Sequence, residues 1–392
     1  MHDTLTLTPP TESTHELPEE VLERFRDRAG DLDRTNSYFD EDLRELRDLG
    51  YLAAVVPTEL GGWGLDLAQM SSSQRRLARH APATALAVTM HSYWIGIAVE
   101  LERIGDTSLR WVLEAAAAGE LFAAGHAETG NDIPVLLSTA RAERVEGGYR
   151  LTGRKQFGSN GPAWTWLGAH AMVADAPGGP QVVHAFVERT SPGVSVVETW
   201  DTLGMRGTAS HDLVLDDVIV PADKIAGRRP YGELGVPLTA AALHFAPIGA
   251  ATYFGIAAGA RDTAVAAVVG AARGPRPMAD LPRVHRQVGL MDAELRGAWW
   301  ALLGSIDEMG DGYGATADVL ATLMLAKRHV LTAAIEVVNL AMDVVGGRSY
   351  FRSSPLERAY RDVRAGTFHP LPPEATLTYA GKVALGDPGT TE

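Results

Sequence analysis

The chain contains no cysteine. Disulfides, thiolate nucleophiles and iron–sulfur ligation are thereby excluded, and the usage fits a reducing compartment. Its 12 histidines show no two-histidine-plus-carboxylate spacing along a helix, so no metal site is expected. No Gly-x-Gly-x-x-Gly follows a strand pattern, and the Gly-x-Ser-x-Gly elbow of a serine hydrolase is missing. Basic residues are outnumbered: 35 Lys and Arg against 49 Asp and Glu give a net charge of −14. That sign argues against a nucleic-acid partner, because phosphate binding requires a basic surface. The first residues, MHDTLTLTPPTESTHELPEE, carry acids where a secretory signal carries bases, and they lack its apolar stretch. No apolar run reaches the ~18 residues that span a bilayer. The expectation is a cytoplasmic protein with no membrane partner.

What is present is the composition of an ordinary globular protein, 46% hydrophobic and 21% charged over 392 residues. Three zones follow one another. Residues 15–125 read as an N-terminal helical domain, with apolar residues at three- and four-residue spacing and a turn at Gly61, Gly62 and Gly64. Residues 126–235 change period. GGYRLTGRKQF, VVHAFVER, GVSVVETW and HDLVLDDVIVP are short Val-, Tyr- and Phe-rich runs between Gly, Pro and Asp, which predict a central antiparallel β-domain. Residues 236–386 return to long helices apolar on several faces, which predict a C-terminal bundle and a buried subunit interface. The fold class is α+β with segregated layers.

Five motifs then carry a resemblance. VPTELGGWGLDL (56–67), FAAGHAETGNDIP (122–134), GYRLTGRKQFGSNG (148–161), DTLGMRGTASHDLVLDDVIVP (201–221) and AMDVVGGRSYFRSSPLERAYRDVRAG (341–366) occur in the order and spacing of the acyl-CoA dehydrogenase superfamily. The likeness covers about residues 20–385. It implies a helical domain, a β-domain and a four-helix bundle holding FAD at a subunit interface, usually in a homotetramer, with FMN as the other flavin choice. It also implies which residues face the flavin. Glu128, Thr129 and Gly130, together with Phe157, Gly158, Ser159 and Asn160, match the loops beside the isoalloxazine. Gly346 and Gly347 match the loop at the adenosine half, and Arg273 matches an arginine that reaches the pyrophosphate. Backbone N–H groups of such loops approach a flavin closely without steric cost. Tight turns and a helix-end arginine are the plain structural alternatives for the same residues.

One family feature is absent. A dehydrogenase of this family removes an α-proton with a glutamate, and the loop that resembles its site reads RDVRAGTFHP. Pro370 stands at the glutamate position and His369 precedes it. The second family location for a base, on the helix that opens the bundle, holds Phe245 followed by Ala246. Glu374 is the nearest carboxylate in sequence. The histidine loop instead resembles the flavin-dependent monooxygenases of this fold, the dibenzothiophene monooxygenase branch. With that branch His91, Ser159 and His369 become the catalytic candidates, since imidazole and hydroxyl groups serve as hydrogen-bond donors or proton carriers near neutral pH. Each has a bland alternative: a satisfied core histidine, a turn-supporting serine and a surface-loop histidine. The resemblance implies a small organic substrate and, in some such enzymes, a partner flavin reductase. A dehydrogenase with a relocated base and a catalytically silent flavin- or acyl-binding subunit remain as alternatives.

Overall fold

A computed structural model describes residues 15–129, 136–233, 236–269, 271–273, 276–310 and 316–386. The N-terminal layer holds α1 (Glu19–Thr35), α2 (Asp40–Asp48), α3 (Leu67–His80), α4 (Pro82–Arg103) and α5 (Arg110–Ala117). α3 starts at a capping box: Asp66 accepts the Gln69 N–H at 2.7 Å, and the Gln69 side chain accepts the Asp66 N–H at 3.1 Å. Pro82 occupies the first turn of α4, where its missing donor costs nothing. α4 is buried on nearly every face, from Thr84 to Leu101, because it lies between the helices and the sheet.

The middle layer contains β1 (Phe122–Gly125), β2 (Arg141–Val145), β3 (Gly148–Gly158), β4 (Trp166–Val173), β5 (Gln181–Glu188), β6 (Val194–Val197), β7 (His211–Pro221) and β8 (Ile225–Pro230). They form one sheet in the order β6-β7-β3-β2-β4-β5-β8, with β1 beside β4. Most pairs are antiparallel, as expected, but β1 and β2 each run parallel to β4, so the sheet is mixed. The sheet also begins at Phe122, four residues before the boundary expected at 126. Tyr149, Leu151, Trp164, Leu167, Leu213 and Val218 build a core of its own.

The C-terminal layer holds α6 (Val236–Val269), α7 (Pro282–Met309), α8 (Ala317–Val345), α9 (Pro355–Val363) and α10 (Pro373–Ala384). A two-residue strand pair, β9 (Ala272–Arg273) with β10 (Arg276–Pro277), joins α6 to α7. α6 and α8 are long and apolar enough to cross a membrane, a length the residue runs alone do not suggest. In α6, 89% of the apolar window is buried inside the protein. Its Gly255 lets α6 run against α3: a Cβ there would stand 2.4 Å from the Arg75 carbonyl oxygen. One continuous core therefore spans the first and last layers, from Leu22, Val56 and Met70 to Ile248, Trp299 and Val337.

Candidate active site

The end of β3 is shaped by Phe157, Gly158 and Asn160. Phe157 adopts a φ of 55° and Asn160 a φ of 66°, both rare for side-chain-bearing residues. Gly158 between them has no room for a Cβ, which would lie 2.6 Å from the Leu213 side chain and 2.9 Å from the His211 carbonyl oxygen. This reversal pushes the Phe157 ring outward, 57% exposed and edge-on to Trp200 at 5.9 Å. Just behind it, Ser159 Oγ shares a hydrogen bond with Ser210 Oγ at 2.8 Å, and Ser210 with Thr208 Oγ1 at 2.7 Å. Thr208 donates to the Met205 carbonyl at 2.9 Å, and the Met205 N–H donates to Asp362 of α9 at 2.6 Å. A hydroxyl chain thus runs from the flavin-type loop toward the C-terminal layer.

The second constellation lies between α6, α8 and the loop after α9. His369 Nε2 and Tyr253 Oη are 2.6 Å apart. The Phe245 ring stands edge-on to the His369 ring at 5.6 Å and to Tyr93 at 6.0 Å. Lys327 of α8 donates to the carbonyls of His369, Pro370 and Leu371 at 3.1, 2.7 and 2.9 Å. Burial first, and the Lys327 charge second, push the His369 pKa down to about 3, so its imidazole is neutral across the ordinary pH range. Burial raises the Tyr253 hydroxyl well above its usual value, with the Asp362 charge adding to it. The pair shares a proton without carrying a charge.

Several residues expected at the site are engaged elsewhere. His91 Nε2 lies 2.6 Å from the Leu52 carbonyl, and its Nδ1 accepts the Phe122 N–H at 3.1 Å. Both nitrogens are spent on backbone, and burial lowers its pKa to about 4. It is a satisfied core histidine that ties α4 to the start of β1. The Glu128 carboxylate turns into the β-domain. It pairs with the fully buried Lys155 and accepts from Ser138 Oγ at 2.8 Å and the Ala140 N–H at 3.2 Å. Burial alone would raise its pKa, but the Lys155 charge and these donors bring it down to about 2. Asn160 is buried: its Nδ2 donates to the Ala87 carbonyl at 2.9 Å and its Oδ1 accepts from Tyr38 at 3.0 Å. It rivets the sheet to α4.

Thr129 is exposed, and Gly130 lies outside the described residues. Gly346, with φ 73°, and Gly347 follow α8 in an exposed turn, and a Cβ on either would meet nothing within 4 Å. Arg273 lies in β9, between α6 and α7. Glu374 is exposed on the first turn of α10. Tyr253, Lys327, Thr208 and Ser210 were not among the expected site residues. Thr208 and Ser210 stand in a motif already singled out, whereas Tyr253 and Lys327 look like ordinary helix residues until the fold brings them to His369.

The sequence matches the acyl-CoA dehydrogenase N-terminal domain over residues 12–120, the middle domain over 122–218 and the C-terminal domain over 248–371. The chain belongs to the acyl-CoA dehydrogenase family. The putative acyl-CoA dehydrogenase YdbM of Bacillus subtilis is 32% identical, over 91% of this chain and 92% of its own length. L-evernosamine nitrososynthase of Micromonospora sp. is 31% identical over 97% and 91%. Among solved structures, KijD3 in complex with FMN and dTDP-3-amino-2,3,6-trideoxy-4-keto-3-methyl-D-glucose superposes with a TM-score of 0.84 at 27% identity, covering 95% and 93% of the two chains. These relatives therefore include one named as a putative acyl-CoA dehydrogenase, one named as a nitrososynthase and one solved with FMN and a dTDP-linked amino sugar.

Proposed function

We propose that this protein is a flavin-dependent monooxygenase that uses reduced flavin and O2 on a small organic substrate, FAD being favoured and FMN an alternative. The observation that carries it is the Tyr253–His369 pair, packed against Phe245 and next to Pro370, the two residues that the family resemblance puts where a dehydrogenase has its carboxylate. A general base works best with a pKa near the operating pH. An imidazole with a pKa of about 3 holds an α-proton poorly, and Pro370 and Phe245 hold none. Glu374, the relocated-base candidate, is exposed on α10 rather than packed against Phe245. YdbM is the observation on the dehydrogenase side, and a silent binding subunit remains the third reading.

The residues present fit a flavin. An aromatic ring 57% exposed, on a strand end forced into an unusual backbone conformation and backed by a hydroxyl chain, suits a flat heteroaromatic ring. Phe157, Gly158 and Ser159 would line the ring, and Gly346 and Gly347 the adenosine half, with Arg273 at the pyrophosphate. A bound reduced flavin would supply the electrons that activate O2. The Ser159 hydroxyl, whose own proton goes to Ser210 and on through Thr208 to the Met205 carbonyl, would accept a hydrogen bond there. Tyr253 and His369 form a neutral pair, and when His369 Nε2–H donates to Oη the Tyr253 hydroxyl keeps its own proton to donate. A partner reductase would deliver the reduced flavin.

The test loads the protein anaerobically with reduced FAD or FMN, then mixes it with 18O2 and a panel of neutral aromatic and amine compounds. One 18O atom in a product, with yield lowered about 10²-fold or more in Tyr253→Phe and His369→Ala, is the expected outcome. Rapid anaerobic bleaching of bound oxidised FAD by an acyl-CoA would replace it with desaturation. Failure of FAD and FMN, each oxidised and reduced, to bind would leave only a silent acyl-binding subunit.

A further inference from the structure

Lys327 is 3% exposed, yet among the described residues no carboxylate pairs with its ammonium. Its three N–H donors instead go to three consecutive carbonyls, those of His369, Pro370 and Leu371. The ammonium also stands 6.0 Å from the Phe245 ring centroid. A buried lysine without a counter-charge is costly, and backbone carbonyls are weaker compensation than a carboxylate. The loop needs what the lysine gives. Pro370 and Pro372 have no N–H, so the stretch that follows His369 is poor in donors of its own. The His369 N–H reaches back to the Gly366 carbonyl only at 3.4 Å. The lysine is thus the main polar anchor of the segment that carries the imidazole.

We infer that Lys327 is a positioning residue for the reaction: its charged ammonium clamps carbonyls 369–371 and thereby holds the His369 imidazole against Tyr253 and Phe245. This rests on the oxygenation reading in one respect, the assumption that His369 acts beside the flavin. The clamp requires all three donors. Deprotonation of Nζ removes one and turns a lone pair toward carbonyl oxygens, so the loop is released as the proton leaves. The titratable groups facing the ammonium are His369 on the loop and, behind it, Tyr253 on α6, both uncharged. Burial brings the Lys327 pKa down to about 7, which places the release within a readily measured range.

The experiment compares wild-type protein with Lys327→Met and Lys327→Arg, each loaded with FAD. The first measurement is deuterium uptake by the 364–372 segment. The second is the rate at which bound reduced FAD is reoxidised by air-saturated buffer between pH 6 and 9. Lys327→Met is expected to raise uptake about tenfold and to abolish the fall in rate with rising pH. Lys327→Arg keeps a cation that does not titrate there, so it is expected to restore protection and move the alkaline fall out of range. Uptake in Lys327→Met equal to wild type, or an unshifted alkaline fall in Lys327→Arg, would overturn the clamp. If the Met variant does not fold, the Arg profile alone decides. Labelled product with an unchanged segment sinks only the clamp, and a released segment without labelled product sinks only the oxygenation.

Discussion

Glu128 and His91 were legible in the sequence as residue types but not as roles. A motif says that a glutamate is present; it does not say that Lys155, two strands of sequence away, will meet it in a dry interior. Both side chains of that pair are fully buried, so the pair is held by geometry rather than screened by water. Glu128→Gln leaves a buried ammonium without its counter-charge and is expected to destabilise the protein by about 3–5 kcal/mol. Urea unfolding followed by far-UV circular dichroism checks this, and a loss below about 1 kcal/mol would mean that Lys155 finds other compensation. Lys155, already brought down to about 8 by burial in spite of the Glu128 charge, should then lose its proton more readily. His91 was ambiguous for a similar reason, since a histidine on an apolar helix looks the same whether its nitrogens meet backbone or substrate. The absent carboxylate was the more informative signal at this scale. Pro370 and Phe245 leave no carboxylate at the two positions where the family resemblance puts the base, while Tyr253 becomes visible only when α6 and the 369 loop meet.

Elements were read most securely where the period was long. α6, α7 and α8 stand where the apolar helical patterns place them, and β3 and β7 pair along the two longest strand patterns. β1 was missed because AGELFAAG lacks alternation. Its Phe122 and Ala123 are fully buried, and a strand buried on both faces reads like the end of the preceding helix. Parallel pairing was hidden for the same reason, since it depends on β4 arriving beside a four-residue strand. Contacts between helices are set by residues that pattern reading ignores. Gly255 is one, because α6 touches the α3 backbone there. Gly255→Ala forces a methyl group toward the Arg75 carbonyl oxygen at a spacing no Cβ tolerates, so α6 must shift. The expected cost is about 1–3 kcal/mol, read as a lower midpoint in denaturant with an unchanged slope. A neutral or stabilised variant would show that the two helices separate freely.

For the molecule as a whole, surface and charge make separate claims. Only 44% of the apolar window on α8 is buried within the chain, and Trp300, Tyr350, Phe351 and Phe368 are exposed on the same C-terminal layer. We propose that a homotetramer covers this surface, and a monomeric mass by light scattering at micromolar concentration would contradict it. The titration of the interior gives the other expectation. Burial is the leading cause in holding His80 and His91 at about 4 and His126 and His369 at about 3, and it holds His170 and His184 well below the usual value. Each folded pKa lies below that of an unfolded histidine, about 6.5. Their contribution is therefore complete above about pH 6.5 and is lost as pH falls toward the folded values. Glu128, held at about 2 against the desolvation that opposes it, loses its contribution in the same direction once pH drops below about 4.3. Asp42 and Asp362 act oppositely, since burial raises both to about 6 and favours their protonated forms as pH falls. The raised carboxyls, Asp262 among them, do not offset the depressed histidines, which His211 joins. Lys327 and Lys155, at about 7 and about 8, add stability as pH rises above neutrality. The melting temperature should therefore climb from pH 5 to pH 8, by several degrees. Differential scanning calorimetry in buffers of matched ionic strength measures it directly, and a profile that is flat or that peaks near pH 5 would mean the buried histidines are already charged in the folded protein.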